Sequence, residues 1–241
     1  ARKDGEHYVI NGQKAAWVSN GSIADIAVLF CTLEPERGFR GGCVILVPLD
    51  LPGVDRPRPL DKIGQRSLNQ GQIFFSEVRV PASHLVIGPD VYPFALEGML
   101  CHGNAGMSQL FIGVARAALD HALDYAQERV QGGVPIGRHQ SVRQRLFRMF
   151  MKVEAARALA RRTALYLATN PPSLQHAIAA KVFSTSTAFE VASEALQIFG
   201  GNGLTREYPV EKLLRDARAS MIEDGCNEML GLVAGARLQG F

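Results

Sequence analysis

The chain has 241 residues, of which 47% are apolar and 20% are charged, and its formal net charge is +3. This composition is that of a globular protein with one large domain or two small ones. It argues against a transmembrane helix, because no apolar run reaches the ~18–20 residues that such a helix needs. The small charge, without a block of like charges, argues against nucleic-acid binding.

The four cysteines show neither a CxxC spacing nor a cluster with histidine, so the sequence predicts no metal site. Buried or free thiols in a reducing compartment are the favoured interpretation, and we therefore expect a cytoplasmic protein. The first residues carry neither an initiator Met nor a signal peptide, and they resemble the middle of a domain. We expect a fragment, or a chain whose N-terminal part has been removed.

The first third of the chain is predicted to be β-structure. An Asn-Gly pair at 11–12 lies between apolar stretches and predicts a hairpin turn. Short apolar runs at 24–33, 41–50 and 72–81 are rich in Val, Ile, Leu and Phe, as buried strands are. Because no helical pattern intervenes, we expect an antiparallel β-domain, a sheet or a small barrel, over residues 1–88.

The rest of the chain, residues 89–241, is predicted to form an antiparallel four-helix bundle, which makes the fold class α+β. The clearest helix is 142–167, where apolar or small residues recur every three or four positions and arginines lie off that stripe. A second stripe covers 178–199, and a short loop with two prolines separates the two helices.

Two adjacent acids, Glu223 and Asp224, stand directly before Gly225, where one helical pattern ends and another begins. Asp is a good N-cap, and an acid near a helix N-terminus is stabilised by the helix dipole, so capping alone explains Asp224. Capping explains only one of the two acids. The alternative interpretation is that this step carries a functional carboxylate.

Three further features have two interpretations each. Three glycines within 200–203 follow a helical stripe, and their backbone N–H groups can hold a phosphate or can simply end the helix. Arg129, just before a Gly-Gly loop, can bind a phosphate or cap a helix C-terminus. Trp17 and Ser19 can belong to a binding surface, or to the core and a turn.

Four segments taken together resemble the acyl-CoA dehydrogenase family in their order and spacing. They are "YVINGQKAAWVSNGSIAD", "KIGQRSLNQGQIFFSEVRVP", "ALDYAQERVQGGVPIGRHQ" and "QIFGGNGLTREYPVEKLLRDAR". The family fold has an N-terminal helical domain, a middle β-domain and a C-terminal four-helix bundle, and the family uses FAD. The resemblance implies that this chain lacks the first part and the opening of the second.

The resemblance also implies an FAD site that neighbouring subunits share, and hence a homodimer or a homotetramer. Trp17 and Ser19 are expected at the isoalloxazine ring and its edge. Contacts elsewhere on FAD, of the same or the neighbouring subunit, are implied for Arg129, Gln140, Gln197, Gly200, Gly201, Cys226 and Glu228.

Asp224 takes the position at which the best-known members carry a glutamate that removes the α-proton of an acyl thioester, while the β-hydrogen leaves as hydride to flavin N5. Asp is one methylene shorter than Glu, and displacing a reacting group by ~1 Å can cost ~100-fold in rate. Asn104 stands roughly where many CoA-binding members carry an Arg. Asn104 and Gly225 are the expected substrate contacts.

Three functions follow as hypotheses. The favoured one is an FAD-dependent dehydrogenase of acyl-CoA or acyl-carrier-protein thioesters, re-oxidised by an electron-transfer flavoprotein or another electron acceptor. The second is a flavin enzyme of the same superfamily that uses O₂ or oxidises a hydroxyacyl thioester, and the altered base and substrate helix favour it. The third is a non-catalytic subunit that helps a partner to bind FAD.

Overall fold

The computed structural model describes residues 1–239, apart from the side chain of Ala16, and the chain divides into two compact units. The first unit holds Ala1–Lys62 and Arg66–Gly98, and the second holds Ile63–Gln65 and the chain from Met99 onward. The predicted α+β class is confirmed, because the first unit is built on antiparallel strands and the second on helices.

Two antiparallel sheets form the first unit. The strands are β1 (Arg2–Asp4), β2 (His7–Ser19), β3 (Ile26–Thr32), β4 (Gly42–Pro48), β5 (Val54–Asp55), β6 (Gln70–Pro81) and β7 (Leu85–Ile87). One sheet has the order β1-β2-β6-β5 and the other β3-β4-β7. Apolar side chains from both sheets, among them Ile10, Ile45 and Val78, form one buried core. Each predicted apolar run therefore contains a strand.

The predicted hairpin turn at 11–12 is wrong. Strand β2 runs through this pair with a β-bulge, at which the side chain of Asn11 exchanges two hydrogen bonds with Glu77. The turn of the first hairpin instead falls at Gly5, which has a φ of 59° and follows Asp4. Because Asp4 pairs with His7, the two-residue loop is Gly5-Glu6, and a glycine of positive φ at the first loop position is typical of a type II′ turn.

Helices build the second unit. They are α1 (Tyr92–Glu128), which belongs to this unit from Met99 onward, α2 (Gln140–Thr169), α3 (Leu174–Phe199), α4 (Val210–Ser220) and α5 (Asn227–Leu238). A small hairpin of β8 (Val130–Gln131) and β9 (Val134–Pro135) connects α1 to α2. The predicted helices at 142–167 and 178–199 are confirmed as α2 and α3. The last stretch of predicted bundle is divided into α4 and α5 by a turn at 221–226, the acid turn.

Helix α3 is the central helix of the second unit. It packs against α2, α4 and α5, and it shares an apolar core with α1. Fully buried alanines, such as Ala118 on α1 and Ala192 on α3, allow these helices to approach closely. Residues along α3 and at its end are thereby held against the other helices. None of the helices in residues 1–239 is both long and apolar enough to cross a membrane.

Candidate functional site

The acid turn gives its two adjacent carboxylates different surroundings. The Glu223 carboxylate is half-buried and accepts a hydrogen bond of 2.5 Å from the side-chain amide of Gln65. The Asp224 side chain is exposed, and its carboxylate forms no hydrogen bond or ion pair with the part of the chain that the structure describes. Of the two acids, Asp224 is therefore the one that remains available for chemistry.

The tether on Glu223 depends on a short segment, 63–65, that lies along α4. The backbone N–H of Gln65 donates to Asp216 Oδ1, and Arg215 Nη1 donates to the carbonyl of Ile63, each over 2.5 Å. Arg215 is itself held by a two-nitrogen ion pair with Glu211 one turn earlier on α4. The end of α4 thus fixes the amide that fixes the first acid of the turn.

The backbone of the acid turn is left-handed at two successive residues. Asp224 has a φ of 50° and Gly225 a φ of 92°. Asp adopts this region more readily than most residues, and glycine adopts it without steric cost. The N-cap of α5 is Cys226, whose φ of −64° and ψ of 145° are extended as an N-cap requires. The explanation of Asp224 as a helix cap is therefore wrong.

A fully buried lysine on α3 forms hydrogen bonds to the acid turn and to the residue that begins α5. Lys181 on α3 has 0% exposure, and its Nζ donates to the carbonyl of Gly225 at 2.8 Å and to Asn227 Oδ1 at 2.9 Å. Asn227 in turn donates to Thr185 Oγ1 at 3.0 Å. Burial lowers the pKa of Lys181, and the nearby charge of Asp224 acts in the opposite direction. The turn that presents the free acid is thus anchored to the central helix by directional bonds.

The segment Gly200–Leu204, the glycine loop, follows α3. Its three glycines have different structural roles. Gly200 ends the helix with a φ of 60°, whereas Gly201 and Gly203 have no positive φ. A Cβ on Gly203 would lie 2.6 Å from a carbonyl oxygen of α3, so Gly203 serves packing. A Cβ on Gly200 or Gly201 would meet nothing within 4 Å, and both are exposed beside exposed Gln197. These three residues leave backbone and amide groups open to a ligand.

Aromatic rings hold the glycine loop in place. Tyr125 on α1 stacks on Phe199 with ring centroids 4.0 Å apart, and Tyr208 meets both rings edge-on. The side-chain amide of Asn202 donates to the Tyr125 hydroxyl at 3.0 Å. The Tyr125 hydroxyl in turn donates to the carbonyl of Phe199 at 3.4 Å. The loop is therefore fixed mainly by apolar packing, with polar bonds through Tyr125 beside the stacked rings.

The small hairpin brings Arg129 and Gln140 to the same end of the second unit. Arg129 follows the last residue of α1, and Gln140 is the first residue of α2. The hairpin is closed by the N–H of Ile136, which donates to the carbonyl of Arg129 at 2.7 Å. The Arg129 guanidinium is exposed and bonds no described residue, so it caps no helix carbonyl. An exposed arginine near a helix N-terminus suits an anion.

In the first unit, Trp17 stands out on β2. Its φ is 68°, which is unfavourable for a bulky residue, and its side chain is 56% exposed. It lies in an irregular stretch of β2 between Lys14 and Val18, and exposed Ser19 ends the strand. The interpretation of Trp17 as a core residue is therefore wrong. Strained and exposed aromatic residues are typical of ligand sites.

The remaining predicted residues differ in their access to solvent. Cys226 is half-buried, while Gly225 and Glu228 are exposed at the start of α5. Asn104 is 1% exposed, and its amide donates to a carbonyl of its own helix, α1. Its Oδ1 is buried without a hydrogen-bond partner among the described residues. Asn104 therefore offers a substrate one buried acceptor and no surface donor.

Sequence reasoning missed Lys181, Gln65 and Asn227. Lys181 carried a usable signal, because it is the one Lys or Arg within the largely apolar α3. A lone cation in such a helix has to find buried acceptors. Gln65 carried none, since its partner Glu223 lies 158 positions away in the chain.

Two family models match the chain. They are the middle domain of acyl-CoA dehydrogenase over residues 1–78, and its C-terminal domain over residues 94–239. The chain belongs to the acyl-CoA dehydrogenase family. A probable acyl-CoA dehydrogenase of Bacillus subtilis is 36% identical to it over 243 residues, which cover 99% of this chain and 63% of that protein.

Solved structures of acyl-CoA dehydrogenases share the fold. Butyryl-CoA dehydrogenase from Megasphaera elsdenii superposes with a TM-score of 0.92 at 33% identity, over 99% of this chain and 62% of that one. A prolyl acyl carrier protein oxidase superposes with a TM-score of 0.93 at 26% identity, over 100% and 63%. The chain thus spans less than two thirds of the length of these relatives.

Proposed function

We propose that this protein is an FAD-dependent acyl-thioester dehydrogenase in which Asp224 is the base. The observation that carries the proposal is the free, exposed carboxylate of Asp224 on a turn whose backbone is fixed by Lys181. Removal of the weakly acidic α-proton of a thioester requires a base held in one position, since proximity and orientation supply much of the rate. Family membership and relatives named as acyl-CoA dehydrogenases favour this chemistry.

In the proposed reaction, each residue of the acid turn has a different role in substrate binding or proton transfer. Asp224 accepts the α-proton at its carboxylate, and Gly225 leaves room for the thioester beside it. Glu223 stays tethered to Gln65 and so does not compete for the proton. FAD, when bound, supplies the acceptor for the β-hydride. The left-handed backbone favours Asp over Glu here, which accounts for the shorter acid.

The residues that would hold FAD fit its chemistry. Its pyrophosphate is an anion, and the segment from Arg129 to Gln140 carries arginines, no acid and the N-terminus of a 30-residue helix. Gln197, Gly200 and Gly201 would offer open polar groups to FAD, and Cys226 and Glu228 would approach it from α5. In the first unit, exposed Trp17 and Ser19 would offer a ring face and a hydroxyl to the isoalloxazine.

The proposed substrate is an acyl group held as a thioester by CoA or by an acyl carrier protein. Asn104 offers one neutral, buried acceptor at a position where an arginine would offer a positive charge, so we expect weaker reliance on the charged part of CoA. We also propose that the protein is a homodimer or homotetramer and passes its electrons to an electron-transfer flavoprotein.

The deciding experiment tests whether a thioester substrate reduces the flavin in the absence of O₂. The purified, FAD-loaded protein is mixed with a panel of acyl-CoA and acyl-carrier-protein thioesters, and the loss of flavin absorbance is followed. At least one thioester should reduce the flavin. Asp224→Asn should slow that reduction by ~10²–10⁴-fold, as the loss of a general base does. Glu223→Gln, the matched change at the tethered acid, should slow it by less than about tenfold.

The outcomes separate the reaction from the base. If no thioester reduces the flavin, the dehydrogenase proposal fails and a non-catalytic FAD-binding subunit is left. If a thioester reduces wild type and Asp224→Asn equally fast, the dehydrogenase stands and the base is another residue. A loss confined to Glu223→Gln would assign the base to Glu223.

A second candidate function is oxidation of a carrier-bound acyl group with O₂ as the electron acceptor. The observation in its favour is the likeness to a prolyl acyl carrier protein oxidase over the full length of this chain. Mixing the reduced enzyme with air separates the two. Re-oxidation that outpaces re-oxidation by an electron-transfer flavoprotein favours the oxidase, and slow re-oxidation in air favours the dehydrogenase.

A further inference from the structure

A pair of thiols lies between β3 and β4 in the first unit, apart from the residues assigned to the site. Cys31 and Cys43 are direct partners in the antiparallel register of these strands, so their side chains leave the same face of the sheet. Their Sγ atoms are 3.4 Å apart and share a hydrogen bond. Both cysteines are free thiols in the structure.

We propose that Cys31 and Cys43 form a redox modification site, at which a low-molecular-weight disulfide converts the two thiols into an intrachain disulfide. Opposed residues of an antiparallel pair have Cα atoms ~4.5–5.5 Å apart, within the ~4.4–6.8 Å that disulfides span. A bond of ~2.0 Å therefore needs the two Sγ atoms to approach by about 1.4 Å, which side-chain rotation provides without movement of the strands.

The two thiols are suited to different steps. Cys31 is half-buried and can be reached from solvent, whereas Cys43 has 0% exposure and lies in the core. The hydrogen bond from Cys43 is the main cause that lowers the pKa of Cys31 to about 7. Burial opposes this shift, and the ammonium groups of Ala1 and Lys14 add to it. The pKa of Cys43 is raised, first because its S–H donates the hydrogen bond to Cys31 and would lose that bond on deprotonation, and second because Cys43 is buried. Cys31 is therefore the thiol that attacks, and Cys43 is the one that completes the bond.

The reaction balances as two thiol–disulfide exchanges. The Cys31 thiolate attacks one sulfur of the small disulfide, which forms a mixed disulfide and releases one small thiolate. The Cys43 sulfur then attacks Cys31 Sγ, loses its proton to the released thiolate or to water, and expels the second small thiol. Over the two steps the protein loses two protons and two electrons, and the small disulfide is reduced to two small thiols.

The other two cysteines lack this arrangement. Cys101 is buried in an apolar cluster of the helical unit with Leu174 and Ile178, and Cys226 is the N-cap of α5. Neither lies in a β-strand of the described chain, so neither stands opposite another cysteine in a strand pair. The register of β3 and β4 therefore sets Cys31 and Cys43 apart from these two.

Peptide mapping of the wild-type protein tests the proposal without any variant. The FAD-loaded protein is equilibrated in mixtures of reduced and oxidised glutathione, quenched with acid, alkylated and digested with trypsin. Arg37 and Arg40 lie between the two cysteines, so digestion separates them unless they are cross-linked. We expect a joined pair of peptides, two hydrogens lighter than the separate ones, as the main oxidised product. Dithiothreitol should reverse it, and Cys101 and Cys226 should be recovered alkylated.

Two variants check the order of attack. Cys43→Ala should collect glutathione on Cys31 as a stable mixed disulfide, and Cys31→Ala should leave Cys43 unmodified until urea exposes it. The proposal is overturned if wild type gives only separately alkylated cysteines at every glutathione ratio, or glutathione on Cys31 without ring closure. Cross-linking that appears only in urea would overturn it as well.

Discussion

The acid turn lies between α4 and α5, and the glycine loop follows α3. Different kinds of interaction fix the two segments. Directional polar bonds from Lys181 and Gln65 hold the acid turn. Stacked aromatic rings, Tyr125 on Phe199, hold the glycine loop. In the proposed function, the carboxylate of the acid turn has to meet one proton and must be oriented, which hydrogen bonds do well. The glycine loop would only have to keep its backbone in place beside the proposed cofactor, for which apolar packing is sufficient.

The largest expected effect comes from removing the polar anchor of the acid turn. Lys181→Met removes the ammonium donor from the Gly225 carbonyl and from Asn227 Oδ1, so we expect a loss of ~2–4 kcal/mol in the free energy of unfolding. The rate of flavin reduction by a thioester should fall at least ~10-fold, because the turn shifts. Urea unfolding and anaerobic flavin reduction measure the two effects.

The matched control is Lys152→Met on α2, whose ammonium pairs with Glu190 at the surface. A surface pair contributes ~0–1 kcal/mol, so this variant should stay close to wild type. Equal losses in the two variants would mean that the buried lysine does not anchor the turn.

The next effect contrasts one glycine from each region. Gly225→Ala puts a side chain on a residue with φ of 92° and brings its Cβ to 3.0 Å from Leu230 Cδ2, and strain of this kind costs ~1–2 kcal/mol. Gly201→Ala meets open space and should leave stability within about 0.5 kcal/mol. Its effect should instead be weaker FAD binding, followed by flavin fluorescence. A stability loss at Gly201, or unchanged FAD affinity in that variant, would contradict the assignment.

A smaller effect is expected from the polar bonds that the Tyr125 hydroxyl makes at the glycine loop. Tyr125→Phe keeps the stacked ring and removes the hydroxyl that accepts from Asn202 and donates to the Phe199 carbonyl, so we expect a loss of ~1 kcal/mol in the free energy of unfolding. FAD affinity should fall by up to about fivefold, for a loss of ~1 kcal/mol. Tyr125→Leu, which also removes the stack, should lose clearly more on both measures, and equal losses would argue against aromatic packing as the main support.

The smallest effect is a pH dependence of the polar anchor. Burial lowers the pKa of Lys181, while an unfolded lysine titrates near ~10.4. Between the lowered value and ~10.4, the unfolded chain binds a proton that the folded chain has released, so folding becomes more favourable as pH rises. The difference in the free energy of unfolding, wild type minus Lys181→Met, should therefore increase as pH rises towards 10. A constant difference between the two proteins would show that Lys181 does not titrate in that range.

The sequence by itself determined the class of the fold and the positions of most of its elements. Alternating and 3.6-residue patterns fix which face of a strand or helix is apolar, and this information is local. It therefore located β3, β4, β6, α2 and α3. It also singled out the Glu-Asp-Gly step between two helices. It failed at Asn11, because an Asn-Gly pair suits a bulge as well as a turn.

Only the tertiary structure decided which acid is free, what holds it and which thiols meet. Glu223 and Asp224 are neighbours in the chain, but Gln65 reaches one of them from 158 positions away. Lys181 became an anchor because α3 is central and buries it beneath Gly225. Cys31 and Cys43 meet because two strands pair in one register. Contacts of this kind depend on how distant segments pack, and no local pattern encodes them.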